Sequence, residues 1–439
     1  MTEYSAEILH KEVLWKGGLA LIESSLKTRA VQKLLAENRS FDLVISEVFF
    51  QEATYVLAHK YNAPLVLIYT LVNCAKHNLI TGNPLQLATT SFEYLDVNDL
   101  TSFWGRLRNF YLTLYEYFWW RFWFLKKQEE LVEKYIPNLP QPVPSLYELQ
   151  QNASLLLLNS HFSFQSPVAF LPNIVEIGGL HFKYLILYYF DCFFQDLQKI
   201  LDESAHGVVY VNFGSNVRSS ELPEEKKKAF LNVFKKLNHT VLWKWEMDTL
   251  DEKPVNVIVR KWFPQKEILS HPNIKVFLSH GGVMGTLEAV YHGVPIIGLP
   301  VYGDQYKNLN KAEEAGIGAT LLYDNINEEN LERLILAFLN DDTYLNRAKE
   351  LSQTFKDRPM TPLQTAVFWI EYVMRNKGAN HMKSPSLKLS WIAYNMLDVY
   401  VFIFVILGAL VYVMFRVIYF ITLRYFIKFK YGEGKQKCL

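Results

Sequence analysis

Between Trp262 and Gln305 the sequence gathers residues whose types and spacing suit an anionic, hydroxyl-rich ligand: Trp262, Gln265, then Ser279-His280-Gly281-Gly282, Gly285, Glu288 and Asp304-Gln305. Glycines at 281, 282 and 285 let the backbone come close to a ligand. A helix starting there offers free N–H groups and the positive end of its dipole, and the two together make a diphosphate site. His280 at the same turn can add a charge-assisted hydrogen bond. Glu288, at most two turns into the helix, can accept from a ribose diol. Asp304 and Gln305 carry acceptors and donors that grip sugar hydroxyls, and Trp262 has a flat apolar face for a base. Taken singly each residue has a plainer explanation: a Gly-Gly turn is commonly just tight, a tryptophan is commonly core and a helical glutamate is commonly solvated. Their coincidence in one stretch favours nucleotide-sugar binding. His271, before Pro272, is read as turn structure.

The elements that must position these groups follow from hydrophobic patterning. Lys275–Leu278 is a short apolar run of the buried parallel type, Val283–Tyr291 has helical composition, Gly293 suits a helix C-terminus and Val294–Leu299 is a second buried strand. A right-handed crossover then places the helix N-terminus at the carboxyl edge of a sheet. Upstream, Gly207–Phe213 is a strand ending in Gly214-Ser215-Asn216, a second phosphate-approach turn facing the first. Ser215 there is either a diphosphate contact or a turn serine. Strands at Thr240–Trp245 and Val257–Lys261 alternate with a helix at Leu222–Leu237, the pattern of a doubly wound α/β domain. Earlier, Phe41–Glu47 reads as a strand with Glu47 at its carboxyl end, where an α/β sheet places ligands. Solvation of that carboxylate is the equally weighted alternative.

Over Trp262, Gln265, His271-Pro272, His280-Gly281-Gly282, Gly285, Glu288, Pro295, Pro300, Asp304-Gln305 and Asn308 the chain resembles the UDP-glycosyltransferases, specifically the membrane-bound animal type and its insect branch. The resemblance runs from about Phe41 to the C-terminus. It implies two Rossmann-like doubly wound domains of GT-B type facing across a cleft, plus a C-terminal transmembrane helix. The expected division is 1–194 for an acceptor-binding domain and linker, 195–390 for a UDP-sugar-binding domain, 391–415 for the membrane helix and 416–439 for a basic cytosolic tail. It also implies that Trp262 stacks on uracil and that Gln265 and Glu288 hold the ribose. His280 with the N–H groups near Gly282 and Gly285 would bind the diphosphate, Ser215 facing them, and Asp304 and Gln305 the sugar. Met284 stands where vertebrate members usually have a polar residue, so no side-chain bond is assigned to it. UDP-sugar enters as co-substrate, with no cofactor and no metal. The implied reaction is inverting transfer of a hexose, glucose before glucuronate, to a hydroxyl of a small lipophilic acceptor.

Two departures qualify the resemblance. The family begins with a signal peptide, a first strand and a loop carrying a histidine base. Met1–Asn38 reads as helical instead, and His10, His59 and His77 lie outside that context. The sequence is therefore expected to start inside the first domain and to lack the base, while Glu47 occupies the position of the aspartate that orients it. That absence motivates a rival reading: a catalytically silent UDP-sugar-binding membrane subunit. A doubly wound dehydrogenase has little support, since no glycine fingerprint follows an early strand. The second departure, Phe182–Phe194, is rich in Tyr, Phe and Leu where the family's linker is polar with proline; it is an extra apolar patch or a misassembled segment.

Composition agrees with membrane contact. Of 439 residues 50% are hydrophobic and 15% aromatic, and the net charge of +1 argues against nucleic acid as a partner. Cys74, Cys192 and Cys438 are scattered and odd in number, which excludes a disulfide framework and a cysteine metal site. Phe103–Phe124 is crowded with aromatic residues around Arg106, Arg108 and Arg121; it either lies at a bilayer surface or packs beneath the acceptor pocket. Val399–Phe415 is apolar, and with residues from Trp391 reaches the roughly 20 needed to span a bilayer. Basic residues follow it, so the body should be lumenal and the tail cytosolic. Lys435 and Lys437 resemble a retrieval signal for the endoplasmic reticulum, and Asn38, Asn152 and Asn238 open glycosylation triplets. The expected location is the endoplasmic reticulum membrane, single-pass, with homo- or hetero-oligomers open.

Overall fold

The computed structural model describes residues 9–92, 100–182 and 191–432. Residues 183–190 of the apolar segment, and Lys435 and Lys437, lie outside these. The chain divides into two units, 1–383 and 384–439.

In the first unit, helices α1 (Lys16–Lys27) and α2 (Arg29–Ala36) precede β1 (Val44–Glu47) and β2 (Leu65–Tyr69). Then come α3 (Ala75–Thr81), α4 (Phe103–Trp119), β3 (Leu155–Leu158) and β4 (Ile174–Glu176). The four strands pair in parallel in the order β1-β2-β3-β4. Runs such as Leu-Val-Leu-Ile-Tyr and Leu-Leu-Leu-Leu carry no polar alternation because both faces are covered. Leu65, Leu67, Tyr69, Leu156 and Leu158 join the helices on one side. Val66, Leu155 and Leu157 point the other way, onto Ala366 and Val373 of a late helix.

The second sheet comprises β5 (Val208–Asn212), β6 (Thr240–Lys244), β7 (Val257–Arg260), β8 (Ile274–Ser279), β9 (Ile296–Gly298) and β10 (Gly318–Thr320). All pairs are parallel, in the order β10-β9-β8-β5-β6-β7. Its helices include α5 (Gln265–Ser270), α6 (Val283–His292) and α7 (Gln305–Glu314). Tyr210, Leu242 and Phe277 face one core and Val211, Trp243 and Leu278 the other. Gly293 ends α6 at φ 71°, the left-handed conformation that glycine adopts without a Cβ clash.

Helix α8 (Pro362–Arg375) starts with a capping box in which Thr361 and Gln364 each accept from the other's N–H, and Pro at its first position has no N–H to leave unpaired. This is the helix that covers the outer face of the first sheet through Ala366 and Val373.

The second unit contains α9 (Leu397–Gly432). Its apolar part, Leu397–Phe429, has 33 residues, and its most apolar 18-residue stretch has a mean hydropathy of 2.7. At about 1.5 Å per residue that is roughly 50 Å, more than the ~30 Å of a hydrocarbon core. The sequence reading ended the span at 415, whereas the helix continues through Arg416 and Arg424. Val417, Ile418, Phe420, Ile421 and Leu423 keep that segment apolar and free of helix breakers.

Candidate active site

β5 opens the second sheet and has β6 on one side and β8 on the other, so the winding reverses between β5 and β8. Loops leaving the carboxyl ends of two such strands part and open a crevice. The register sets Asn212 beside Ser279, which brings the Gly214 turn next to the His280 turn. A cavity of about 820 Å³ lies there. Ser215, Trp262, Gln265, His280, Gly282, Gly285, Glu288, Asp304 and Gln305 all line it. Every residue assigned to the donor by sequence therefore reaches one space.

A chain of hydrogen bonds crosses the floor. Asn212 Oδ1 accepts from the N–H of Gly214 at 2.9 Å, and its Nδ2 donates to Gln265 Oε1 at 2.7 Å. Gln265 Nε2 in turn donates to Glu288 Oε2 at 2.6 Å. The phosphate-approach turn, the strand end and the carboxylate are thus linked through one side-chain network. Burial raises the Glu288 carboxyl above its ordinary value, with the Gln265 bond opposing that rise. His181 approaches from the other side, Nε2 at 3.5 Å from Glu288 Oε1, while Lys266 Nζ donates to the His181 carbonyl.

His280 sits between two glycines. A Cβ on Gly282 would lie 2.5 Å from its Nε2, and one on Gly214 2.8 Å from its Cε1. Only backbone without side chains leaves room for the ring, a requirement separate from any turn geometry. Burial, helped by nearby Lys244, pushes the imidazole down to about 4. The ring is therefore neutral at pH 7, and the charged donor expected from sequence needs an anion beside it to raise the pKa. Lys244 Nζ is held by the Gly214 carbonyl and by Glu246 Oε1, both at 2.9 Å, so this cation braces the turn. The first turn of α6 starts after Gly282 and points its N–H groups into the same space.

Two sugar-side assignments change in detail. Gln305 is buried and its Oε1 accepts from the N–H groups of Val301 and Tyr302 at 2.7 and 3.0 Å. Its acceptor is thereby occupied in closing the 301–305 loop, which leaves Nε2 to meet a ligand. Asp304 Oδ2 accepts from Asn308 Nδ2 at 2.7 Å, and burial raises its carboxyl. Trp262 is 67% exposed, so its indole face is open to a base.

Glu47 is not among the residues lining this cavity. Its carboxylate accepts from Thr70 Oγ1 at 2.7 Å and Gln51 Nε2 at 3.0 Å. His271 closes a turn, as read: Nδ1 accepts from the N–H of Asn273 and Nε2 meets Asp202 at 3.0 Å. Met284 reaches across the cleft, its sulfur 3.5 Å from Asn159 Nδ2 at the end of β3. Leu14, Phe49 and Leu71 of the first domain form an apolar wall opposite the donor residues. Sequence reasoning missed Asn212, Lys244 and His181. Asn212 had a signal, a polar residue ending the run Val-Val-Tyr-Val just before Gly214; the other two become visible only through packing.

Known proteins agree with this architecture. Residues 19–432 match the family model described as UDP-glucoronosyl and UDP-glucosyl transferase. The chain is 36% identical over 409 residues to UDP-glycosyltransferase UGT5 of Dactylopius coccus, covering 93% of this chain and 76% of that one. It is 38% identical to UDP-glucosyltransferase 2 of the same insect, with 84% and 70% covered. Against UDP-glucuronosyltransferase 1A6 of Mus musculus it is 31% identical, with 90% and 72% covered. Among solved structures the calicheamicin glycosyltransferase CalG4 superposes with a TM-score of 0.52 at 19% identity, covering 85% of each chain. An anthocyanidin 3-O-glucosyltransferase in complex with UDP also gives 0.52, at 16% identity over 82% of this chain and 81% of that one. These two establish the GT-B fold.

Proposed function

The chain belongs to the UDP-glucoronosyl and UDP-glucosyl transferase family, and from that premise we propose that it transfers glucose from UDP-glucose to a hydroxyl of a small lipophilic acceptor, with inversion and without a metal ion. The observation that carries the reading is the convergence of all nine donor residues on the crevice where the second sheet reverses its winding. Trp262 stacks on uracil. Glu288, steadied by Gln265, accepts from the ribose hydroxyls. The diphosphate lies between the Gly214 turn and the N-terminus of α6, with Asp304 and the Gln305 amide on the sugar. The apolar wall of Leu14, Phe49 and Leu71 suits a lipophilic acceptor. Its hydroxyl oxygen attacks the anomeric carbon as the bond from that carbon to UDP breaks on the opposite face, and the hydroxyl proton passes to water or to the departing diphosphate. Charge developing on the leaving diphosphate is met by the N–H groups at the start of α6 and by His280, donors already in place before reaction. Glucose is preferred over glucuronate because the insect relatives include one named a glucosyltransferase at 38% identity.

We place the protein in the endoplasmic reticulum membrane with α9 as a single span, the body lumenal and its C-terminal end cytosolic. The helix length and hydropathy support a span, and Asn38, Asn152 and Asn238 are all exposed, as lumenal glycosylation needs.

A second reading is favoured by Glu47. Its described hydrogen bonds go to Thr70 and Gln51 and none to a histidine, which suits a subunit that holds UDP-sugar without activating an acceptor. One experiment separates the two. Full-length protein in lipid nanodiscs is given radiolabelled UDP-glucose or UDP-glucuronate with a panel of phenols and steroids, and UDP binding is measured calorimetrically on the same sample. Glucose transfer supports the enzyme. Binding with no transfer supports the subunit, and absence of UDP binding overturns both.

A further inference from the structure

Helix α4 is built inside out. On a water-soluble body the inward face of a helix is apolar and the outward face polar. Here the inward residues include Asn109, Thr113 and Glu116, each at most 2% exposed. Asn109 is saturated by the backbone: its Oδ1 accepts from Phe92, and its Nδ2 donates to Leu87 and Thr90. Glu116 pairs with Lys76 Nζ of α3 at 2.9 Å. The outward face, continued through the wide turn Trp120–Phe124, carries Phe103, Leu107, Phe110, Leu114, Phe118 and Phe122 at steps of three and four residues, all exposed. Trp104 beside them is 74% exposed. An exposed apolar stripe of this length on a soluble surface marks a contact face.

Charge selects the occupant. The exposed cations are Arg108 and Arg106, one nitrogen of the latter also donating to the carbonyls of Leu100 and Thr101, and the one acidic residue between 103 and 122, Glu116, is buried against Lys76. A second copy docking on the same face would bring these arginines together with no carboxylate of the helix to meet them. Phospholipid phosphates meet them, while aromatic rings enter the interfacial layer below. The same chain carries α9, which keeps a bilayer at high effective concentration around the body.

We propose that the outward face of α4, from Phe103 to Phe122, docks on a phospholipid surface, with its rings at headgroup depth and Arg106 and Arg108 on lipid phosphates. This goes beyond the transferase reading. It depends on α9 being a span only for the nearness of a bilayer.

The test uses the full chain in liposomes of phosphatidylcholine and phosphatidylserine, a fraction of whose acyl chains carry a photoreactive diazirine, with equal parts of isotopically light and heavy protein. After irradiation, adducts are mapped by mass spectrometry. The expected result is lipid adducts on 103–122 as well as on 397–429. In the variant Phe110→Glu/Phe118→Glu, adducts on 103–122 fall at least tenfold while those on 397–429 persist, with the thermal melt unchanged because both positions are exposed. Adducts confined to 397–429 overturn the proposal and leave α9 as a span. Light-to-heavy cross-links through 103–122 in place of lipid adducts overturn it in favour of a second copy. Adducts on neither segment overturn it together with the membrane reading of α9.

Discussion

Gln265 donates Nε2 to Glu288 Oε2 at 2.6 Å and is itself held through Oε1 by Asn212. This holds the carboxylate in place, and on the proposed reading its acceptors meet a ribose diol without reorganising. Glu288→Ala is expected to weaken UDP binding by about 1.5–3 kcal/mol, the usual loss for hydrogen bonds to a charged group. Gln265→Ala should weaken it less, because it loosens the carboxylate without removing it. Isothermal calorimetry on folded protein checks both, and equal losses in the two variants would contradict this order.

Trp262 is the second proposed contact, stacked on uracil and independent of the carboxylate. Its indole is two-thirds exposed, so removing it takes little from the core. Trp262→Ala should weaken UDP by roughly 1–3 kcal/mol, the range for a base stacked on an aromatic ring, and leave the melting temperature within a degree or two. A large loss of stability with unchanged UDP affinity would show the ring to be structural.

The glycines around His280 make a steric prediction. A Cβ at Gly282 falls 2.5 Å from the ring, and one at Gly214 falls at 2.8 Å where φ is +81°. Either alanine must displace the imidazole, and Gly214→Ala adds backbone strain of order 1 kcal/mol. Both variants should lose UDP affinity and the transfer rate together. If Gly282→Ala binds UDP normally, the ring is not a diphosphate ligand.

How far the sequence could be read depends on distance along the chain. The strand–turn–helix at Ser279–His292 was legible because its strand, glycines and helix are local, and Gly293 ends it as read. The reach of Asp304 and Gln305 into the same crevice was legible through the order of strands. That the Gln305 carbonyl is consumed by its own loop was not, since 301–305 reads as a plain turn. The contact of His181 with Glu288 joins residues from a linker and a helix over a hundred positions apart, which no local pattern reports. The aromatic crowding at 103–124 was visible, but its two readings could be weighed only when burial showed Asn109 and Glu116 inside and the phenylalanines out.

Acid should act through the buried imidazoles. His161, His181, His280 and His292 are each pushed down to about 4 by burial. Their folded values lie below the unfolded value near 6.5, so the unfolded chain binds more protons between these limits. Each therefore contributes stability above pH 6.5 that is lost as pH falls towards 4. Glu288 and Asp304, raised by burial, act in the opposite sense, stabilising at low pH and losing that contribution as pH rises through their raised values. The clean measurement is a difference: His280→Asn should flatten the fall in melting temperature between pH 6.5 and 4. UDP binding near pH 5 should also take up a proton in the parent protein, seen by calorimetry in buffers of different ionisation enthalpy, and not in the variant.

The ion pair beneath α4 tests what seats that helix. Lys76 and Glu116 meet at 2.9 Å with side chains 8% and 2% exposed, and Lys76 also lies 5.6 Å from the Trp120 ring. Two charges taken from water together are near balance, but one left alone is not. Glu116→Ala strands a buried ammonium and should destabilise the body by about 3–5 kcal/mol. Replacing both, Lys76→Met with Glu116→Leu, removes the stranded charge and should recover most of that loss. Denaturant melts of the full chain in micelles give the comparison. Recovery in the double variant identifies charge burial as the cause. A double variant as unstable as Glu116→Ala would instead mean that the pair's geometry, and not its charge balance, holds α4 with its aromatic face outward.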